Sequence, residues 1–160
     1  LGVNTQDIQR LFSNFKNAAR RFSLKTFGDI VTIDDYAHHP TEIKVTLEAA
    51  RAKYPDKKLI AVFKPNTYSR TAAFTKEFAD SLKIADKVFM TEIDCNREKQ
   101  EDYPGITSSL VLKDIPDGEI IGEDDVDKLL KYQNAVICFM SCASISHIKD
   151  KYESLLESTK

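Results

Sequence analysis

The chain has 160 residues, which suits one domain with its own hydrophobic core and is too short for two ordinary domains. Hydrophobic residues make up 42% and charged residues 30%, a balance that excludes a disordered chain. The net charge of −2 gives no electrostatic basis for nucleic-acid binding, and no apolar run approaches the roughly 20 residues of a membrane-spanning helix. Three cysteines without framework spacing, and no secretory leader, indicate a reducing cytoplasm. The first residue is Leu1, so we expect a piece of a longer protein.

The spacing of apolar residues predicts an alternation of strands and helices. In chain order the patterns give a helix over 5–16, a hairpin over 21–33, a helix over 40–54, a strand over 59–63, a helix over 70–83, a strand over 88–90, a loop over 96–105, a helix over 124–132, a strand over 135–140 and a helix over 144–156. Pro40 and Glu42 suit a helix start. We therefore predict an α/β fold: a Rossmann-like, mostly parallel sheet with helices on both faces, preceded by a short helix and a β-hairpin.

Titratable side chains concentrate between the predicted hairpin and the helix that follows it. Within six positions the chain carries two carboxylates, a phenol and two imidazoles, on Asp34, Asp35, Tyr36, His38 and His39. Ligands in open parallel sheets bind where loops leave the carboxyl ends of strands, and a helix start favours an anion. A capped turn is the structural alternative, but it needs no more than one or two such groups. We therefore predict a functional site here.

The segment after the strand 59–63 carries two cations. Lys64 and Arg70 can approach a carboxylate or phosphate, and arginine can do so with two parallel hydrogen bonds. A solvated loop is the structural alternative, but a position beside the titratable cluster favours the functional interpretation. The small residues 141–144 after the last strand are interpreted as structural, with Ser144 capping the final helix.

Several other chemistries are not supported by the sequence. Cys138, Cys142 and His147 lack the paired C-x-x-C units of structural zinc sites, and we predict no metal site in this chain. The chain contains no G-x-G-x-x-G, which argues against a nicotinamide dehydrogenase. It also contains neither a G-x-x-x-x-G-K-[ST] phosphate loop nor a G-x-S-x-G nucleophile elbow.

Two stretches resemble hallmark motifs of the C-terminal domain of bacterial Mur ligases. They are DDYAHHPTE at 34–42 and VFKPNTYSRT at 62–71. The resemblance covers nearly the whole chain: residues 1–18 are similar to the tail of the family's central ATP-binding domain and residues 19–160 to its C-terminal domain. Two positions depart from the family pattern, since Asn66 stands where a histidine is usual and the segment 141–144 lacks the usual two glycines.

This resemblance implies an ATP-dependent amide-bond-forming ligase of peptidoglycan synthesis in the cytoplasm. The motifs are most similar to those of members that add L-alanine to UDP-N-acetylmuramate through an acyl phosphate. The family binds ATP and Mg²⁺ mainly through the central domain, so we expect this chain alone to be inactive. The implied partners are the small-molecule substrates and the rest of its own chain, without nucleic acid or membrane.

The family pattern also implies roles for individual residues. Asp35 would accept hydrogen bonds from the ATP ribose, and His38 and His39 would line the reacting end. Arg70 would hold the carboxylate of L-alanine. The remaining implied substrate contacts are Tyr36, Lys64, Asn66 and Tyr68. Two alternatives stay open: the corresponding domain of the ligase that recycles murein tripeptide, and a freestanding binding module without catalysis.

Overall fold

A computed structural model describes residues 20–158, and the helix predicted over 5–16 lies outside them. The strands are β1 (Ser23–Phe27), β2 (Ile30–Asp35), β3 (Lys58–Phe63), β4 (Lys87–Met90), β5 (Glu119–Ile120) and β6 (Ala135–Met140). The α-helices are α1 (Pro40–Lys53), α2 (Tyr68–Ala73), α3 (Thr75–Leu82), α4 (Ser108–Leu112) and α5 (Ser146–Ser158). Two 3-10 helices span Gln100–Asp102 and Glu123–Leu129. No helix within 20–158 combines the length and the apolar character needed to cross a membrane.

The six strands form one sheet in the order β1-β2-β6-β3-β4-β5. β1 and β2 pair antiparallel around a turn at Gly28, whose φ of 60° favours glycine, and the other pairs are parallel. The α/β class, the mostly parallel sheet and the hairpin are thereby confirmed. Because β6 lies between β2 and β3, the carboxyl ends of these three strands open side by side.

Apolar side chains cover both faces of the sheet. Alternate residues of β3 divide between the two layers: Leu59, Ala61 and Phe63 pack with α1 and α3. Ile60 and Val62 face α5 and the 3-10 helix 123–129. All five are at most 1% exposed, which confirms a strand buried on both faces. The rigid strand ends can therefore position the loops that carry the site.

The prediction of a single helix over 70–83 is wrong, because the chain forms α2 and α3 with a break at Phe74. The backbone of Phe74 has φ −128° and ψ 26°, outside helical geometry. The hydroxyls of Thr71 and Thr75 donate to carbonyls four residues earlier, at 2.8 and 2.7 Å, and such bonds bend helices. The ring of Phe74 instead packs edge-on against His39, with centroids 4.9 Å apart.

The helix predicted over 124–132 is a 3-10 helix that ends at Leu129. Its buried residues Val126 and Leu129 are three positions apart, which matches the three-residue period of a 3-10 helix. The patterns also missed α4 and β5, which span only five and two residues, and the single turn inside the loop predicted over 96–105. The final helix begins at Ser146 rather than at residue 144.

Candidate functional site

Four loops meet at the carboxyl edge of the sheet. They follow β2, β3, β4 and β6, and hydrogen bonds between strand ends hold them together. The amide of Ser141 donates to the carbonyl of Asp35 at 3.1 Å, and the amide of Lys64 donates to Met140 at 3.1 Å. Asp35, the last residue of β2, and Arg70, in the segment after β3, therefore lie at the same edge.

The carboxylate of Asp35 organises the loop after β2. Its Oδ1 accepts hydrogen bonds from the amide of Ala37 at 2.8 Å and from the hydroxyl of Thr46 at 3.2 Å. Its Oδ2 accepts from the amide of Phe22 at 2.7 Å. A carboxylate offers about four acceptor positions, so one position is left for a ligand. The structure gives Asp35 an architectural role, and its contact with a ribose stays a prediction.

Glu42 fixes the two histidines at the start of α1. Its Oε2 accepts hydrogen bonds from the amides of His38 and His39, at 3.0 and 3.1 Å. His39 is the N-cap residue, and its Nδ1 accepts from the amide of Thr41 at 3.4 Å. Burial raises the pKa of Glu42, but the two amides and the neighbouring imidazoles outweigh burial and hold the pKa below its usual value.

For the neutral form of each imidazole, the hydrogen bonds assign a different tautomer to His38 and to His39. Nδ1 of His38 lies 3.1 Å from the carbonyl of Tyr36 and 3.1 Å from Oε2 of Glu42, two acceptors, so Nδ1 carries the proton. Nδ1 of His39 accepts a hydrogen bond, so the proton of that ring is on Nε2. One ring therefore presents a lone pair at Nε2 and the other presents an N–H. This pair can accept one proton and donate another.

Lys64 is buried and paired rather than free. Its Nζ lies 2.9 Å from Oδ2 of Asp94, in the loop after β4. The hydrogen bond from Lys64, followed by its charge, holds the pKa of Asp94 below the usual value. The sequence interpretation missed Asp94, although its place just after the strand 88–90 put it at the same edge. Lys64 therefore brings an ion pair, and not a lone cation, to the site.

Arg70 keeps an uncommitted guanidinium. Within residues 20–158 that group has no hydrogen-bond or ion-pair partner, while its backbone amide is capped by Thr67 at 3.3 Å. The neighbouring carboxylate of Glu98 is held by the hydroxyl and the amide of Ser69. These two bonds, and further the charge of Arg70, lower the pKa of Glu98. Arg70 is therefore available to an anionic ligand.

Tyr68 is held by packing against the loop after β4. Its ring stacks on Tyr103 with centroids 6.1 Å apart, and its hydroxyl donates to the carbonyl of Ile93 at 3.4 Å. Sequence reasoning treated Tyr68 as a substrate contact, and that role stays a prediction.

A cleft of about 500 Å³ opens between the four loops. It brings together three of the predicted residues, Tyr36, Lys64 and Asn66, and adds residues that the sequence interpretation missed: Asp94, Cys95, Asn96, Arg97 and Ala143. The segment after β6 also contributes Cys142 and Ser144 to the lining of the cleft, and its interpretation as structural stays a prediction. Asp35 does not line this cleft but a smaller one of about 280 Å³, beside Arg21 and Thr46.

Arg20 ties the segment after β6 to the end of β2. Its Nη2 donates to the carbonyls of Ser141 and Ala143 at 2.6 and 3.0 Å, and its Nε lies 3.2 Å from Asp34. The guanidinium also lies over the ring of Tyr36, 5.7 Å from its centroid. The carbonyls of Ser141 and Ala143 thus bind a partner that lies 121 and 123 positions away in the sequence. Local sequence patterns cannot predict this contact.

The described residues do not form a metal site. Among positions 20–158 no three His, Cys, Asp or Glu side chains are grouped so as to hold an ion.

A family model and curated relatives both match most of this chain. The sequence profile of the family described as "Mur ligase, glutamate ligase domain" matches residues 20–141. The UDP-N-acetylmuramate–L-alanine ligase of Lactobacillus helveticus is 46% identical over 155 residues, which are 96% of this chain and 35% of that protein. The chain thus spans about a third of the length of the curated relatives it matches.

Solved structures share the fold. The UDP-N-acetylmuramate–alanine ligase of Thermotoga maritima superposes with a TM-score of 0.77 at 24% identity, over 99% of this chain and 35% of that one. A domain from a Haemophilus ducreyi protein, described as a UDP-N-acetylmuramate:L-alanyl-γ-D-glutamyl-meso-diaminopimelate ligase, superposes with a TM-score of 0.60 at 30% identity. That match covers 85% of this chain and 99% of the other, which was crystallised as a separate domain.

Proposed function

The chain belongs to the Mur ligase family of glutamate ligase domains, and we propose that it is the C-terminal domain of an ATP-dependent ligase that adds L-alanine to UDP-N-acetylmuramate. The observation that carries this proposal is that one sheet edge holds both Arg70, whose guanidinium makes no hydrogen bond within residues 20–158, and two imidazoles with opposite tautomers. The 46% identity to a ligase of that specificity supports it. Because ATP and a UDP-linked sugar are cytoplasmic metabolites, we place the reaction in the cytoplasm.

The proposed roles follow from the chemistry of amide formation. The attacking amine of L-alanine must lose a proton, and Nε2 of His38 offers the lone pair that can accept one. The N–H at Nε2 of His39 can donate to an oxygen on which negative charge develops. Arg70 holds the carboxylate of the amino acid with two parallel hydrogen bonds. Tyr36, Asn66 and Tyr68 complete the binding surface for the substrate.

The nucleotide and its ion are proposed to lie mainly outside this chain. When bound, ATP supplies the phosphoryl group that activates the carboxylate of UDP-N-acetylmuramate, and Mg²⁺ neutralises the phosphates. As in the family pattern, the ligands of this ion would come from the preceding central domain, of which residues 1–18 would be the tail. Asp35 has one acceptor position left for the ribose.

A second candidate is the corresponding domain of a ligase that accepts a murein tripeptide. The structural match to the Haemophilus ducreyi domain, at 30% identity, supports this second candidate. The motif at 62–71 favours the L-alanine ligase, and the choice of acceptor discriminates between the two.

Joining the chain to the upstream two thirds of the Lactobacillus helveticus ligase tests the proposal against a freestanding binding module. We expect ATP-dependent ligation by the joined protein, at a rate within roughly ten-fold of the parent ligase. The 160-residue chain alone should show no ligation and no ATP binding in the micromolar range by calorimetry. The parent ligase, rebuilt with the same junction, is the control. A joined protein without ligation beside an active control, or micromolar ATP binding by the chain alone, would contradict the proposal.

A further inference from the structure

Two of the three cysteines line the cleft at the carboxyl edge. Cys95 lies in the loop after β4 and Cys142 in the segment after β6, and both are partly exposed. Cys138 is buried inside β6, where burial raises the pKa of its thiol and keeps it protonated. The chain therefore presents two accessible thiols at one site and a third, internal thiol that serves as a reference.

Lys64 anchors both of the loops that carry the accessible thiols. Asp94, the residue before Cys95, receives a hydrogen bond from Nζ of Lys64 at 2.9 Å. Ser141, the residue before Cys142, donates its hydroxyl hydrogen to the carbonyl of Lys64 at 3.0 Å. Each cysteine is therefore one residue away from a group that is bonded to the same lysine. The two loops approach each other over the end of β3.

We propose that Cys95 and Cys142 form a redox-active pair, which a disulfide of a low-molecular-weight thiol oxidises to an internal disulfide across the cleft. Lys64 and Ser69 hold this loop at Asp94 and Glu98. Residues 91–99 contain no helix or strand, so a shift of Cys95 toward Cys142 breaks no helix or strand hydrogen bond. Because β3 separates β4 from β6, the ends of these two strands lie roughly 10 Å apart. A disulfide needs Cα atoms within roughly 7 Å, so the two loops close the difference when the bond forms.

The reaction balances as two thiol–disulfide exchanges. The thiolate of one cysteine attacks a sulfur of the small disulfide, which forms a mixed disulfide and releases one small thiol. The second cysteine then attacks the protein-bound sulfur and releases the other small thiol. The protein loses two electrons and two protons, and the small disulfide gains both. The second step is intramolecular and is favoured by the high effective concentration of a neighbouring thiol.

The internal disulfide would tie the loop after β4 to the segment after β6 and narrow the cleft beside Tyr36 and Asn66. This consequence rests on the proposed function, because it assumes that the cleft receives a substrate. The oxidation itself does not, because it depends only on the two thiols. The two parts are therefore tested separately.

The first test uses the 160-residue chain with oxidised glutathione as the small disulfide. We expect both accessible thiols to disappear, the protein mass to fall by the two hydrogen atoms lost, and a proteolytic map to join Cys95 to Cys142. Cys138→Ser should form the same disulfide. Cys142→Ser should instead gain one glutathionyl group on Cys95. Glutathionyl groups on both cysteines of the unsubstituted chain, a disulfide between two copies, or no reaction would overturn the proposal.

The second test measures ligation by the joined protein before and after oxidation. Ligation should fall by roughly ten-fold or more and return with dithiothreitol, because loop freedom at the cleft is lost. A Cys95→Ser, Cys142→Ser double variant should show the same ligation rate before and after treatment with the oxidant, whatever that rate is. An unchanged rate in a protein shown to hold the disulfide would overturn the effect on the cleft. A joined protein without any ligation would instead refute the proposed function and leave the thiol chemistry to the first test.

Discussion

Replacement of Arg70 by alanine in the joined protein is expected to raise the KM for L-alanine by roughly 100-fold, with a much smaller change in kcat. Within residues 20–158 the guanidinium of Arg70 makes no hydrogen bond and interacts with Glu98 only through its charge, so its N–H groups are available to a carboxylate. Loss of hydrogen bonds to a charged group costs about 3 kcal/mol, which corresponds to a factor of roughly 100 in binding. A carboxylate contact is made equally in the ground and transition states, so the effect appears in KM.

Two variants control this measurement. Arg70→Lys keeps the charge but loses the paired geometry, so its KM should lie between those of the unsubstituted protein and Arg70→Ala. Lys76→Ala removes a cation from α3 whose partner is Asp80, in an exposed pair, and should leave the KM unchanged. An Arg70→Ala protein with the same KM for L-alanine as the unsubstituted protein would show that Arg70 does not bind the amino acid.

Asp35→Ala is expected to lower the free energy of unfolding of the 160-residue chain by about 3 kcal/mol. The substitution leaves the amides of Phe22 and Ala37 and the hydroxyl of Thr46 without their shared acceptor. Each unsatisfied, partly buried donor costs about 1–3 kcal/mol, and neighbouring water recovers part of that cost. Chemical denaturation measures the loss, and the Tm should fall by roughly 10 °C for a chain of this length.

The matched control for Asp35 is Asp114→Ala. Asp114 is exposed, and its side chain makes no hydrogen bond within the described range, so its removal should change the free energy of unfolding by less than about 0.5 kcal/mol. Asp35→Asn keeps one acceptor oxygen and should lose less stability than Asp35→Ala. A change below about 1 kcal/mol for Asp35→Ala would show that the carboxylate does not hold the loop after β2 in place.

Local sequence patterns predicted those elements of the fold that depend on neighbouring residues, such as the strand over 59–63 and the hairpin turn. The continuous apolar run 59–63 predicts a strand buried on both faces, because a helix layer covers each side of a parallel sheet. Gly28 marks the hairpin turn because its φ is positive. The DDYAHHPTE motif predicted a functional site in the loop after β2, because several titratable groups at the end of a strand rarely serve packing alone.

The remaining features depend on contacts between residues that are distant in sequence. The break at Phe74 coincides with a ring contact to His39, and the ion pair of Lys64 joins residues 30 positions apart. The role of 141–144 depends on Arg20, more than 120 positions away. No window of neighbouring residues contains these contacts. The position of Asp94 and Cys142 after predicted strands indicated the sheet edge, but not that Lys64 binds the two segments that carry them.

The central claim is that this domain selects and positions the amino acid that the ligase adds. The most direct measurement is the ratio of kcat/KM for L-alanine to that for murein tripeptide in the joined protein. We predict a ratio above roughly 100 in favour of L-alanine, since Arg70 is proposed to hold the carboxylate of one small amino acid. A ratio below 1 would contradict the claim and assign the chain to the tripeptide ligase instead.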